Sequence, residues 1–296
     1  MSGPIHICWF RQDLRLADNP ALSAAASAGS VLPVYILDDI HAGDRRMGEA
    51  SRWWLHHSLI ALDRSLGGKL VVMAGDPAKI LPHLALATSA KAIHWNRAYE
   101  PWRITRDARI KTQCTGLGLK TQSHNGSLLW EPWEVLKKDG TPYKVFPPFY
   151  RRGCLAAAPP RPPLPVPPRL TIAELDNHIE GARAITKLGL LPKHDWKNGL
   201  AATWRIGETA AHDRLHAFLN EGLDGYKNDR NFPAKHNVSR LSAYLHWGEI
   251  SPNSVWYAAK DRMDAGLSRD DDRNYFFYEP KALLVFCFSN KSVRVF

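Results

Sequence analysis

The sequence predicts an α/β fold: an N-terminal doubly wound parallel sheet, a long linker, and a helical C-terminal portion. Three observations carry this. Over roughly the first 130 residues, short apolar runs with β-branched content alternate with segments of helical period. A proline-dense stretch then interrupts all regular patterning. Beyond it the period is helical only.

The strands come first. "IHICWF" (5–10), "VLPVYIL" (31–37), "KLVVMAG" (69–75) and "KAIHWN" (91–96) are nearly continuous apolar runs, as strands buried on both faces require. The clearest intervening helix is "GEASRWWLHHSLIALDRSLGG" (48–68). There Trp54, Leu55, Leu59, Leu62 and Leu66 recur at three- and four-residue steps, and Gly67 ends the run. Strand and helix in alternation imply right-handed crossovers and a Rossmann-like parallel sheet. No G-x-G-x-x-G follows the first strand and no P-loop is present, so those two nucleotide fingerprints are excluded.

"APPRPPLPVPPRL" (158–170) holds seven prolines in the ten residues 159–168. Proline has no backbone N–H, so the run supports neither ladder nor helix and reads as an extended linker. An SH3-ligand role is the rarer use of such a run. From about Trp196, "LAATWRIGETAAHDRLHAFLNEGL" (200–223) reads as helix, with Trp204, Leu215, Phe218 and Leu219 among good helix formers. The expected division is 1–131 for the α/β domain, 132–195 for the linker, 196–280 for the helical domain, and 281–296 for an aberrant tail.

The 296 residues carry 39 Lys and Arg against 29 Asp and Glu, a net charge of +10, which suits a polyanionic partner as well as an inert basic surface. Arg97, Arg103, Arg106, Arg109, Lys111 and Lys120 crowd one region, and Arg151, Arg152, Arg161 and Arg169 another. Such groups would contact phosphates without sequence preference, or form a solvated face. Cys8, Cys114, Cys154 and Cys287 show no C-x-x-C spacing, which disfavours zinc and dithiol chemistry and fits a reducing, cytoplasmic setting. No signal peptide and no membrane-length apolar run is present, so no membrane association is expected.

Two stretches carry more polar chemistry than a core needs. "HICWFRQDLRLADNPAL" (6–22) places Arg11, Asp13, Leu14 and Arg15 after the first strand, where α/β sheets keep their sites; Asp18 or Asn19 then caps a helix opened by Pro20. "NVSRLSAYLHWGEISP" (237–252) sets Ser239, Arg240 and Ser242 at a helix start. Hydroxyls, a guanidinium and free N–H groups there suit a phosphate, and an ordinary capped core helix is the other reading.

The first stretch resembles the opening of DNA photolyases and cryptochromes. So do "WNRAYEP" (95–101), "HNGSLLWEPW" (124–133), "PYKVFPPFYR" (142–151) and, most of all, "YKNDRNFPAKHNVSRLSAYLHWGEISP" (226–252). The resemblance implies that the helical portion is an incomplete all-helical FAD-binding domain. It implies that Tyr226 touches the flavin's phosphate side, that Val238, Ser239, Arg240, Leu241 and Ser242 line the diphosphate, and that Arg230 lies near the DNA backbone. Val238 stands where the family often has Thr or Ser. The implied activity is that of a deoxyribodipyrimidine photolyase, splitting pyrimidine dimers in damaged DNA by light-driven electron transfer from reduced FAD; a cryptochrome-type blue-light receptor and a non-catalytic fragment are the alternatives. No side chain is assigned as catalytic and none as a metal ligand. The implied antenna pigment is methenyltetrahydrofolate, with Trp102 a candidate to stack its ring, and a monomer is expected. "DDDRNYFFYEP" (270–280) approaches the family's lesion-reading element, with Glu279 in the place of its Glu. Ala282 and Leu283 stand where Trp and Arg are expected, so the tail reads as truncated or frameshifted and the chain as inactive as it stands.

Overall fold

The computed structural model describes residues 3–175, 179–232 and 234–266. Glu279 and the tail at 281–296 lie outside these. Two compact units emerge. The first takes in residues 1–126, 164–210 and 246–249; the second takes in 127–163, 211–245 and 250 onward.

The first unit is built on five parallel strands: β1 (Ile5–Phe10), β2 (Ser30–Leu37), β3 (Val71–Ala74), β4 (Ala92–Asn96) and β5 (Lys120–His124), in the order β3-β2-β1-β4-β5. The order reverses between β1 and β4, and β1 pairs with both neighbours in register, Ile5 opposite Ser30 and His6 opposite Ala92. Strands β1 to β4 fall on the four apolar runs, because a strand covered on both faces must be apolar throughout. β5, "KTQSH", has no apolar run; as an edge strand half open to water it needs none. Its existence is a finding of the structure.

Helices α1 (Pro20–Ala28), α2 (Glu49–Ser65), α3 (Pro77–Ala87) and α4 (Pro101–Gly116) make the crossovers. The side chain of Asn19, not Asp18, caps α1 by accepting from the Leu22 N–H at 3.1 Å, with Pro20 in the first turn. α2 buries Trp53, Trp54, Leu55, Leu59 and Leu62. One face of the sheet is a continuous apolar core containing Ile7, Trp9, Leu32, Val34, Ile93 and Trp95, closed by residues of α3 and α4.

The proline run has no regular structure, yet it is tied down. Leu164 is one of its few residues with an N–H, and it donates to Asp18 Oδ1 at 2.9 Å while its carbonyl accepts from Asp18 N at 2.8 Å. The chain then returns to the sheet: Val31 N donates to Thr171 O and Ala173 N donates to Val31 O, each at 2.8 Å. This covers the part of β2 that β3, which first pairs at Val34, leaves open. The run from 200 to 223 is not one helix. Helices Asn198–Thr203 and Glu208–Ala217 are separated at Gly207, whose φ of +113° no helix accommodates.

In the second unit, helix Pro252–Asp264 holds the start of the proline run from its own side. Asn253 Nδ2 donates to Arg161 O at 2.8 Å and the Tyr257 hydroxyl to Pro160 O at 2.5 Å, while Trp130 Nε1 donates to Ala158 O at 2.8 Å and packs edge-on against Trp256. Among the described residues no helix is long and apolar enough to cross a membrane.

Candidate functional site

The Arg-Asp-Leu-Arg stretch sits at the carboxyl end of β1, beside the point where strand order reverses. It is consumed internally. Arg11 pairs with Asp107 at 2.6 Å and donates to the Asn96 carbonyl. Asp13 accepts from the Arg11 N–H at 2.5 Å and from Asn96 Nδ2 at 2.6 Å. The Arg15 guanidinium donates to the carbonyls of Ala17, Asp18, Gly126 and Gly248 at 2.6 to 3.2 Å, and the residue is 1 % exposed. Three backbone segments distant in sequence meet on that one cation. This motif is a structural junction, and the expectation that it marks a ligand site is corrected by its burial.

In the basic crowd at 97–120 only Arg106 is buried; Arg97 and Arg103 are half-buried, and Arg109, Lys111 and Lys120 are exposed. Arg106 is buried between Asp107 and Asp38, at 2.9 and 3.0 Å. Burial alone would raise the Asp38 carboxyl; its bonds from the His41 backbone and from Arg106 outweigh that and leave it below the usual range. Arg97 donates to the Ser123 carbonyl, Lys111 to the Ser123 hydroxyl, and Arg109 to Asp76. Trp102 lies against the guanidiniums of Arg103 and Arg106, at 5.0 and 5.1 Å from its ring centre.

The second polar stretch behaves differently. Residues 237–241 are not helical; helix Ser242–Trp247 follows them and has six residues. So short a helix has little macrodipole, and the turn's own donors must do most of any anion binding. Leu241 and Tyr244, 2 and 3 % exposed, root the turn in the core. Arg214, from helix Glu208–Ala217, donates to the carbonyls of Ser239 at 2.9 Å and Val238 at 3.3 Å. Asn237 Nδ2 donates to the carbonyls of Gly222 at 3.1 Å and Asp224 at 2.7 Å. The carbonyls are thus pulled inward. Arg240 has the left-handed φ of +52°, an uncommon state for a non-glycine residue, and is exposed. Among the described residues the side chains of Arg240 and Ser242 have no hydrogen-bond or ion-pair partner and both are exposed; the Ser239 hydroxyl, half buried, accepts a long bond from Leu241 N at 3.4 Å.

Asn237 also links the turn to Asp224, two residues before Tyr226. Tyr226 opens the short helix Tyr226–Asp229 and packs edge-on against Phe218 at 5.7 Å. The Arg230 guanidinium lies 5.8 Å from the Tyr226 ring centre. The structure therefore gathers Val238 to Ser242 into one turn, ties it beside the Tyr226 segment, and sets Arg230 on the tyrosine. Glu279 is outside the described residues. Sequence reasoning missed Arg214 and Asn237. Arg214 carries no local signal, since its role is to reach a loop 25 residues on; Asn237, preceding a polar turn, was open to suspicion as a local cap.

Comparison with known proteins places these features in a family. The family model for DNA photolyase matches residues 6–168. A deoxyribodipyrimidine photo-lyase of Agrobacterium fabrum is 42 % identical over 268 residues, covering 89 % of this chain and 53 % of that protein. Cryptochrome-1 of Arabidopsis thaliana is 33 % identical over 279 residues, covering 92 % of this chain and 40 % of that protein. The crystal structure of a bacterial class III photolyase from Agrobacterium tumefaciens superposes with a TM-score of 0.87 at 38 % identity, over 97 % of this chain and 60 % of that one. The chain spans about half the length of the curated relatives it matches. On the matched model, the identity to these relatives and the five-stranded parallel sheet, the chain belongs to the DNA photolyase family.

Proposed function

We propose that the chain supplies the α/β unit and the flavin-phosphate turn of a deoxyribodipyrimidine photolyase, an activity that repairs cyclobutane pyrimidine dimers in DNA by light-driven electron transfer from reduced FAD. The observation that carries this reading is the turn at 237–242. Its carbonyls are tied back by Arg214 and its cationic and hydroxyl groups at Arg240 and Ser242 stand free, which is the donor set a diphosphate takes. Bound there, reduced FAD would supply the light-released electron. The protein's part is to hold, orient and shield. Ser239, Arg240 and Ser242 hold the diphosphate, with the backbone of Val238 and Leu241 shaping the turn. Tyr226 lines the same side. Arg230, poised over Tyr226, contacts the DNA phosphates, and the lesion leaves the base stack to be read, at a cost that is smaller for a damaged base. In the α/β unit we assign methenyltetrahydrofolate as antenna, with Trp102 as the stacking ring.

The test is reconstitution. Protein loaded with FAD is passed through a desalting column and its flavin absorbance followed. Replacing Ser239, Arg240 and Ser242 together by Ala accelerates flavin loss at least tenfold, about 1.4 kcal/mol. An unchanged dissociation rate would reduce the turn to an ordinary helix entry. Affinity for duplex DNA falls steeply with salt, and Arg230→Ala weakens it across all sequences. The likeness to a cryptochrome supports a second reading, a blue-light receptor with the same cofactor. Loss of cyclobutane dimers on illumination separates the two.

A further inference from the structure

Glu249 is fully buried, and the phosphate turn does not use it. Its Oε2 accepts from Trp54 Nε1 at 3.0 Å and its Oε1 from the Ser58 hydroxyl at 2.7 Å, both on α2. The Gly207 N–H is a third donor to it. Trp204 packs edge-on against Trp54 at 5.2 Å, and Trp53 packs edge-on against the same ring at 6.5 Å. Glu249 ends a segment, His246–Glu249, that belongs to the α/β unit. Leu14 N donates to Trp247 O at 3.1 Å, Arg15 Nη1 donates to Gly248 O at 2.9 Å, and Gln12 meets His246 at 3.2 Å. Gly248 has a φ of +64° and lies so close to the Gln12 backbone that a Cβ would collide with it. Every one of these bonds fastens the segment to the sheet unit, and Glu249 is the one carboxyl among them.

We propose that the Glu249 carboxyl is a proton-operated latch, holding His246–Glu249 on α2 when protonated and loosening it when ionised. Burial sets the direction, because a carboxylate taken fully out of water is disfavoured against its neutral acid, and the three donors only oppose this in part. Trp54 and Gly207 offer only N–H donors, so the acid's proton has one partner, the Ser58 oxygen, which turns from donor to acceptor. Burial raises the carboxyl from its ordinary value to about 7, against the opposing bonds from Ser58, Trp54 and Gly207. Among the described residues no cation is hydrogen-bonded or ion-paired to Glu249. His56 and His57 of α2 pack edge-on against each other, and His57 edge-on against Trp53. Glu208, next to Gly207, accepts from Leu16 and Ala17 N–H. Arg15 spends itself on carbonyls, and His246 is held by burial below its ordinary value, so it is neutral above pH 7. A carboxyl that titrates near 7 when latched and near 4.5 when released gives an opening equilibrium that grows roughly tenfold between pH 6 and 8.

Hydrogen exchange read by mass spectrometry on peptides covering 245–250 tests this without any flavin. Corrected for intrinsic rates, protection falls about tenfold from pH 6 to pH 8, and Glu249→Gln, which keeps the shape and can donate to Ser58, abolishes the dependence. Trp54→Phe, by removing one donor to the ionised form, deepens the loss of protection between pH 6 and pH 8. Protection in the wild type that is flat with pH, or a Gln variant with the same dependence, overturns the latch. Because the readout is protein exchange, the result stands apart from whether the turn at 237–242 holds a flavin.

Discussion

The junction after β1 and the turn at 237–242 are built from the same alphabet: arginines, a short leucine-containing stretch, and small polar groups. At the junction, Arg11, Asp13 and Arg15 are all under 10 % exposed and bonded to the chain itself. At the turn, the guanidinium of Arg214 points into the structure while that of Arg240 is left outside. The comparison teaches that residue types in a suggestive pattern specify hydrogen-bonding capacity and not its recipient. What decides is whether the chain itself supplies the acceptors.

The comparison breaks first, and hardest, at Arg15. Arg15→Ala leaves the carbonyls of Gly126, Gly248 and Asp18 buried without their donor, and should cost about 3–5 kcal/mol in urea unfolding. A loss under 1 kcal/mol would mean that water replaces the guanidinium and that the junction is a pocket after all.

A second test uses the histidines of β1, β4 and β5. His6 Nδ1 meets His94 Nε2 at 3.1 Å, and His94 stacks on His124. Burial first, then the neighbouring charges of His6 and His124, bring His94 down to about 4. Its folded value lies below its unfolded one, so the unfolded chain takes the proton more readily between those two values. Stability is therefore present above pH 6.5 and is lost as pH falls toward 4, by at most about 3 kcal/mol. His94→Gln flattens that acid limb in a pH series of unfolding midpoints. Glu249 works in the opposite sense: raised to about 7, it contributes stability below its unfolded value that is lost as pH rises through 7. Glu249→Gln accordingly gains on the wild type at pH 8 and loses that advantage by pH 5, and equal stability of the two proteins at pH 8 would refute the assignment.

The smallest expected effect sharpens the contrast most. Arg240→Ala should change unfolding stability by no more than about 0.5 kcal/mol, since the guanidinium is in water, while flavin retention falls. A large destabilisation would place Arg240 in the same class as Arg15.

Much of the first unit was legible. β1 to β4 and α2 follow from apolar period, because a strand covered on both faces and a helix with one buried stripe leave their geometry in the residue order. β5 was not legible, since an edge strand of Lys, Thr, Gln, Ser and His differs from a loop only by what it lies beside. Gly207 was visible, but its φ of +113° between two helices was not. The motif at 226–252 was legible as a pattern; its anchors Arg214 and Asn237 were not, because each acts on carbonyls 13 to 25 residues away.

The order of residues by itself determined β1 to β4, their alternation with helices and the family, since period, capping and motif spacing are local quantities that any fold of this chain must obey. Only the tertiary structure decided the fate of each polar group. Arg106 became a buried ion pair, Leu164 became the fastening of the proline run, and the turn at 237–242 kept its donors outward. Burial and hydrogen-bond partners are set by segments distant in the chain, and no local pattern encodes which carbonyl will arrive to meet a given guanidinium.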